Sequence, residues 1–257
     1  MARHQQGDNA VTDHADTPHA VKIVAVTGAG RGIGRALCEG LARRGYTVAA
    51  LARQLPLDWE APGVHAFEVD VADAAMCTEV FGAVAARLGP VDALVANAAV
   101  YRKGWFLDQS PEDFGAHFLI NVLGVANAIR PVLPGMLERN CGRIVAIGSQ
   151  ADMNPFPSSV AYAASKGGLH PLVKGIAGEV DHTRYPNVLI NELFPGVVKT
   201  RMSPAGTPPE RVLDYVLPLI EAPSGGPHGQ AFKMDKVVYP GESWKAALKR
   251  VVLGRGR

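Results

Sequence analysis

Ile23-Val24-Ala25-Val26-Thr27-Gly28-Ala29-Gly30-Arg31-Gly32-Ile33-Gly34 is the stretch that decides the fold of this chain. Its four leading apolar residues read as a buried strand, and the glycines behind them read as a turn feeding the start of a helix. Glycine has three uses in such a turn. It permits a tight bend, it lets backbone N–H groups approach a pyrophosphate, and it lets the helix pack closely on the sheet. The N-terminus of the helix adds a field that favours an anion. The spacing is not G-x-G-x-x-G, because Ile33 stands where the third glycine would fall when counting from Gly28.

Outward from this turn, short runs rich in Val, Ile, Leu and Ala recur at 47–51, 64–69, 92–95, 144–147 and 188–193. Near-continuous apolar runs suit parallel strands covered on both faces. Between them lie amphipathic helical patterns, among them 34–44, 74–88 and 112–129. The last of these opens on Ser110-Pro111-Glu112-Asp113, which places an N-cap serine, a proline at the first helical position and acids in the first turn. This alternation predicts an α/β fold of the Rossmann type, a doubly wound parallel β-sheet flanked by helices. A last strand is expected within 229–235. With no internal repeat and no linker, 21–257 reads as a single dinucleotide-binding catalytic domain, and 1–20 as a flexible N-terminal tail.

Composition narrows the function classes. A chain of 257 residues that is 47% hydrophobic with a net charge of +2 is not intrinsically disordered. No apolar run reaches the ~18–20 residues of a membrane-spanning helix, and the polar N-terminus has no secretory apolar region. Cys38, Cys77 and Cys141 are an odd, unclustered set, which fits a reducing compartment. Few aromatics and near-balanced charge argue against a nucleic-acid surface, and the basic stretch 245–257 reads as a solvated tail. His4, His14 and His19 match no metal-ligand spacing, so no metal is expected. The expectation is a cytoplasmic protein whose partner is a small molecule, not a membrane or a nucleic acid.

Tyr162-Ala163-Ala164-Ser165-Lys166 carries the chemistry. On a helix, residues four apart share a face, so the phenol and the ammonium project into one space. A free tyrosine has a pKa of ~10, and a nearby cation favours its ionised form. Tyr162 is thereby expected to give a proton to a carbonyl oxygen, or to take it back in reverse. Ser149 ends a strand thirteen residues before Tyr162 and offers a hydroxyl to the same oxygen. Asn121 is a polar residue in an apolar helical stretch, and Asn97 follows the strand at 92–95.

In order and spacing, these landmarks resemble the short-chain dehydrogenase/reductase family, whose T-G-x-x-x-G-x-G turn matches 27–34. The resemblance covers about 23–200. It implies a catalytic tetrad of Asn121, Ser149, Tyr162 and Lys166. Tyr162 would be the general acid/base, Ser149 would orient the substrate oxygen, Lys166 would serve both the phenol and the nicotinamide ribose, and Asn121 would hold a water. It also implies a cofactor site built from Thr27, Gly28, Gly30, Arg31, Gly32, Ile33 and Gly34. Asp70 and Val71 would lie beside the adenine, Asn97 and Ala98 beside its ribose, and Pro195, Gly196, Val197 and Thr200 around the nicotinamide. Where an NAD site usually ends the second strand in an acid, this chain has Ala52-Arg53. A guanidinium there, with Arg31, implies NADP(H), because it makes charge-assisted bonds to a 2′-phosphate.

The chain departs from the family pattern in places. Ala96-Asn97-Ala98-Ala99 stands where N-N-A-G is usual. Pro171 lies five residues past Lys166 and is expected to kink or reroute that helix, which puts the usual homo-oligomer (a dimer or tetramer) in question. His170 reads as a surface or packing residue. Tyr101, Trp105, Met153, Phe156 and Phe194 fall near loops where ligands enter, with Ser149, Met153, Phe156 and Tyr162 the expected substrate contacts. The central expectation is an oxidoreductase that reduces a ketone or aldehyde with NADPH. Alternatives are a secondary-alcohol dehydrogenase of sugar or steroid type, a non-catalytic NADP-binding regulator, and an epimerase or dehydratase. Only 57 residues follow Thr200, which leaves little room for the extra substrate domain of the last class.

Overall fold

The computed structural model describes residues 21–55 and 61–238, so the expected tail over 1–20 and the basic stretch over 245–257 lie outside the described residues. The apolar runs form β1 (Ile23–Thr27), β2 (Thr47–Ala52), β3 (Val64–Glu68), β4 (Ala93–Ala96), β5 (Gly142–Ile147) and β6 (Val188–Phe194). Two short strands follow, β7 (Ala231–Lys233) and β8 (Lys236–Val238). Together they make one eight-stranded sheet in the order β3-β2-β1-β4-β5-β6-β7-β8. Every pair is parallel except the last, where β8 folds back antiparallel on β7. The last strand expected over 229–235 is thus a hairpin, turned at Met234 with φ 55°.

The helices are α1 (Gly32–Ala42), α2 (Ala74–Leu88), α3 (Pro111–Phe118), α4 (Gly124–Ile129), α5 (Leu133–Glu138), α6 (Val160–Glu179) and α7 (Leu213–Ile220). Strand residues alternate between two cores. Val24 and Val26 pack with Leu37 and Leu41 of α1 and Val216 and Ile220 of α7. Ala25 and Ile190 face the other side, with Phe81 of α2, Ile129 of α4 and Leu169 and Val173 of α6. Each fully buried aliphatic side chain of this kind is worth about 1.5–3 kcal/mol.

Two expectations are corrected here. The helix expected over 112–129 begins as read, with Ser110 Oγ accepting from Asp113 N at 3.2 Å. It then opens into a π-helical turn, Leu119–Leu123, before α4 resumes. Pro171 does not end or reroute its helix, because α6 runs through it to Glu179. Proline there leaves the Gly167 carbonyl without its helical N–H and costs ~3 kcal/mol. Leu169 and Val173, both buried on either side of it, hold the helix to the sheet and offset that cost.

The stretch Pro111–Glu138 contains a window of mean hydropathy 1.4, long enough on composition to cross a membrane, but half of it is buried in the fold. On its outer side Phe118, Leu119, Val122, Leu123, Ala126 and Leu172 line an apolar groove. The fold places the site at one edge. β1, β4, β5 and β6 end side by side at Thr27, Ala96, Ile147 and Phe194, and the strand order reverses between β1 and β4. In open parallel sheets, ligands bind in the crevice at such a point.

Candidate active site

The glycine turn is braced against the end of β4. Thr27 Oγ1 accepts from Asn97 N at 3.0 Å and from Ala98 N at 3.1 Å. Asn97 Nδ2 donates to Thr27 O at 2.9 Å and Gly28 O at 3.3 Å. Gly28 has φ +67°, and a Cβ there would stand 2.7 Å from Ala98 Cα. A side chain at Gly34 would stand 2.7 Å from Asn97 Nδ2. These two glycines are therefore fixed by backbone conformation and close approach. Asn97 and Ala98, expected beside a ribose, thus also clamp the turn.

The N-terminus of α1 has no side-chain cap, and its N-cap residue Arg31 is exposed. The turn sits on the end of β2, with Gly30 above the Gln54 carbonyl and the Ala52 methyl. Arg53, next along β2, is exposed, with its Nη1 3.8 Å from Asp70 Oδ2. An uncapped helix start between two exposed guanidinium groups fits a multiply charged anion. Asp70 Oδ1 is engaged by Ala72 N at 3.0 Å, and Val71 is buried with its carbonyl accepting from Asn127 Nδ2 at 2.8 Å. Beyond β6, Pro195 is buried while Gly196 and Val197 are exposed, and Thr200 lies over Gly32. Glycine turn and post-β6 loop therefore meet. Thr207 returns to the loop, donating to Val197 O at 3.0 Å.

Around Tyr162 the structure brings together Ser149 and Tyr101. Ser149 hydrogen-bonds the Tyr162 hydroxyl and draws its pKa down, but burial outweighs it and pushes the phenol up, with Tyr101 adding in the same direction. Tyr101 packs against Tyr162 with ring centroids 4.6 Å apart and ring planes tilted by 44°. The net shift of the phenol is therefore opposite to the one expected, because burial outweighs what favours the ionised form. Lys166 is 3% exposed, and its Nζ donates to Ile147 O at 2.7 Å. Burial lowers the Lys166 pKa to about 8, partly countered by Glu192.

Asn121 sits in the π-helical turn, fully buried. Its Oδ1 accepts from Val100 N at 2.8 Å, and its Nδ2 donates to Val100 O at 3.0 Å and Ser165 Oγ at 2.9 Å. It ties the loop after β4 to α6 one residue from Lys166. The same loop is pinned by buried His117, whose Nε2 accepts from Arg102 N at 3.1 Å. The sequence reading passed over His117, and it passed over Glu192, although a lone acid in the apolar run Val188–Phe194 was a visible signal.

Of the residues expected near ligand-entry loops, Trp105, Met153 and Phe156 are exposed, as is Phe106, which was not among them. Phe194 is 1% exposed, a core residue packed on Gly148, so its place in a substrate pocket is corrected.

The model of the short chain dehydrogenase family matches residues 22–210. The chain belongs to the short-chain dehydrogenase/reductase family. An acetoacetyl-CoA reductase of Rhizobium meliloti (strain 1021) is 35% identical over 205 residues, 77% of this chain and 83% of that protein. A 2,3-dihydro-2,3-dihydroxybenzoate dehydrogenase of Bacillus subtilis (strain 168) is 36% identical over 189 residues, 70% and 71%. A solved structure of ElxO with NADP bound shares the fold with a TM-score of 0.75 at 22% identity, covering 84% of this chain and 97% of that one. As a short-chain dehydrogenase/reductase, the chain is an oxidoreductase of the CH–OH/C=O pair that works with a nicotinamide cofactor.

Proposed function

We propose that this short-chain dehydrogenase/reductase reduces a ketone or aldehyde with NADPH, with Tyr162 as the general acid. The observation that carries the reading is the hydrogen-bonded Ser149–Tyr162 pair at the strand-end edge, with buried Lys166 one helical turn away. Tyr162 carries its proton at neutral pH and can donate it. Burial makes that donation harder, and the positive charge of Lys166 works against the burial. Tyr162 gives that proton to the carbonyl oxygen, and Ser149 donates a hydrogen bond to the same oxygen. Lys166 supplies positive charge behind the phenol and stabilises the phenolate left after transfer. Asn121 fixes the spacing between the Val100 loop and α6 through Ser165. When bound, NADPH supplies the hydride to the carbonyl carbon. The turn from Thr27 to Gly34 holds its pyrophosphate, and Arg31 and Arg53 hold its 2′-phosphate. Asp70, Val71, Asn97 and Ala98 flank its adenosine, and Pro195, Gly196, Val197 and Thr200 flank its nicotinamide.

The exposed apolar side chains of Trp105, Phe106, Met153 and Phe156 favour an apolar carbonyl compound of moderate size. The acetoacetyl-CoA reductase relative makes a 3-oxoacyl thioester one candidate. The dehydrogenase relative from Bacillus subtilis favours the oxidative direction as the second reading, for which the same residues run in reverse. The test is NADPH consumption across a panel of ketones, aldehydes and 3-oxoacyl thioesters, with Tyr162→Phe as control. The variant is expected to lose about 100- to 10,000-fold in turnover while still binding NADPH. Full turnover by the variant removes Tyr162 from the mechanism.

A further inference from the structure

β6 is buried along its whole length, yet its fifth residue is an acid. Glu192 is 1% exposed. Its neighbours two and four residues back, Ile190 and Val188, pack in the same core as α6. A carboxylate in such a place costs several kcal/mol unless it is partnered. One partner is His170 of α6, whose Nδ1 lies 2.8 Å from Glu192 Oε2. A carboxylate only accepts, so Nδ1 carries the hydrogen. The His170 side chain is 24% exposed, which gives the pair an opening to solvent.

The other oxygen, Oε1, is buried with no hydrogen-bond partner among the described residues. It lies over Gly148, where a Cβ would collide with it and with the Phe194 ring. Lys166, one helical turn before His170, donates to the carbonyl of Ile147, the residue next to Gly148. A buried acceptor short of a donor and a buried ammonium therefore flank the same Ile147–Gly148 peptide.

We propose that Glu192 is the internal counter-ion of Lys166 and that His170 anchors it, so that the pair keeps the active-site ammonium charged from behind. Both act through Lys166 and are positioning residues. The proposal rests on the role given to Lys166 under Proposed function. The electrostatics agree with the geometry. Glu192 raises the Lys166 pKa against the effect of burial. Burial raises the Glu192 carboxyl, His170 and Lys166 draw it back down, and Asp152 opposes them. The charged and titratable groups facing Glu192 are thus Lys166 and His170 from α6 and Asp152 from the turn after β5. Gln230, just before β7, offers its backbone carbonyl to the Glu192 N–H.

The test titrates Lys166 directly by NMR in the full chain carrying 13C-enriched lysine, with Lys166→Met assigning the resonance. The wild-type midpoint is expected near about 8. Glu192→Gln keeps the shape and removes the charge, and should lower the midpoint by about one pH unit. His170→Asn, at a partly exposed position, should lower it by less, and it carries the comparison if Glu192→Gln does not fold. In turnover assays, the limb of the pH profile set by Lys166 should move the same way, with KM for the carbonyl substrate unchanged. A Lys166 midpoint that neither variant moves overturns the proposal, whatever the protein catalyses. A wild type that titrates as expected but consumes no NADPH with any carbonyl would instead sink the reading of the function and leave the counter-ion pair standing.

Discussion

Replacing Lys166 with methionine should make the protein more stable and inactive at once. The ammonium is buried, and its pKa falls from 10.5 to about 8 on folding. At 1.36 kcal/mol per pKa unit, that drop is a folding penalty of roughly 3 kcal/mol. The penalty is fully present below the folded value, where the lysine is protonated in both states. It is relieved as pH rises from about 8 towards 10.5, where the unfolded chain still binds the proton and the folded chain has lost it. Methionine fills similar volume without charge but leaves the Ile147 carbonyl without its donor, a loss of about 1–2 kcal/mol. Glu192 keeps His170 as its partner in the variant. The net gain at neutral pH is then about 1–2 kcal/mol, or a few degrees in Tm for a chain of this size. Urea unfolding of both proteins between about pH 6 and 10 reads it directly. A variant less stable than wild type at pH 7, or a difference that does not shrink above pH 8, refutes the assigned burial of the charge.

Two further outcomes test the neighbouring parts. Arg53→Asp exchanges an exposed cation at the end of β2 for an anion beside Asp70. It should weaken NADPH binding about 10- to 100-fold and NADH binding far less, measured by fluorescence titration, and equal losses for both would remove Arg53 from cofactor choice. Gly148→Ala drives a methyl group into the Glu192 carboxylate and the Phe194 ring. A cost of about 1–3 kcal/mol in denaturant unfolding is expected, together with a displaced Ser149 and slower turnover. A variant as stable and as active as wild type would show that the packing over Gly148 is loose.

Much of the site was legible because its signals are local. The glycine turn, the Ser110 cap and the Tyr162–Lys166 spacing each depend on a few adjacent residues; the structure forms the turn and the cap as read and puts Tyr162 and Lys166 on one helix. Phe194 looked like a loop aromatic, but β6 extends one residue further than its apolar run suggested and takes the ring into the core. Pro171 was expected to kink or reroute its helix, but α6 continues through it, because the core on α6 outweighs one missing hydrogen bond.

The sequence by itself determined the order of the main strands and helices, the glycine turn after β1, and which hydroxyl, phenol and ammonium make up the candidate site. These follow from side-chain periodicity and local backbone chemistry. Tertiary structure alone decided which groups meet and how far water is removed from them. Lys166 reaches Ile147 across 19 residues, His170 reaches Glu192 across 22, and Asn121 reaches Ser165 across 44. Proton affinity depends on that desolvation and on those partners. The direction in which Tyr162 and Lys166 shift was therefore fixed only when β5, β6 and α6 packed together.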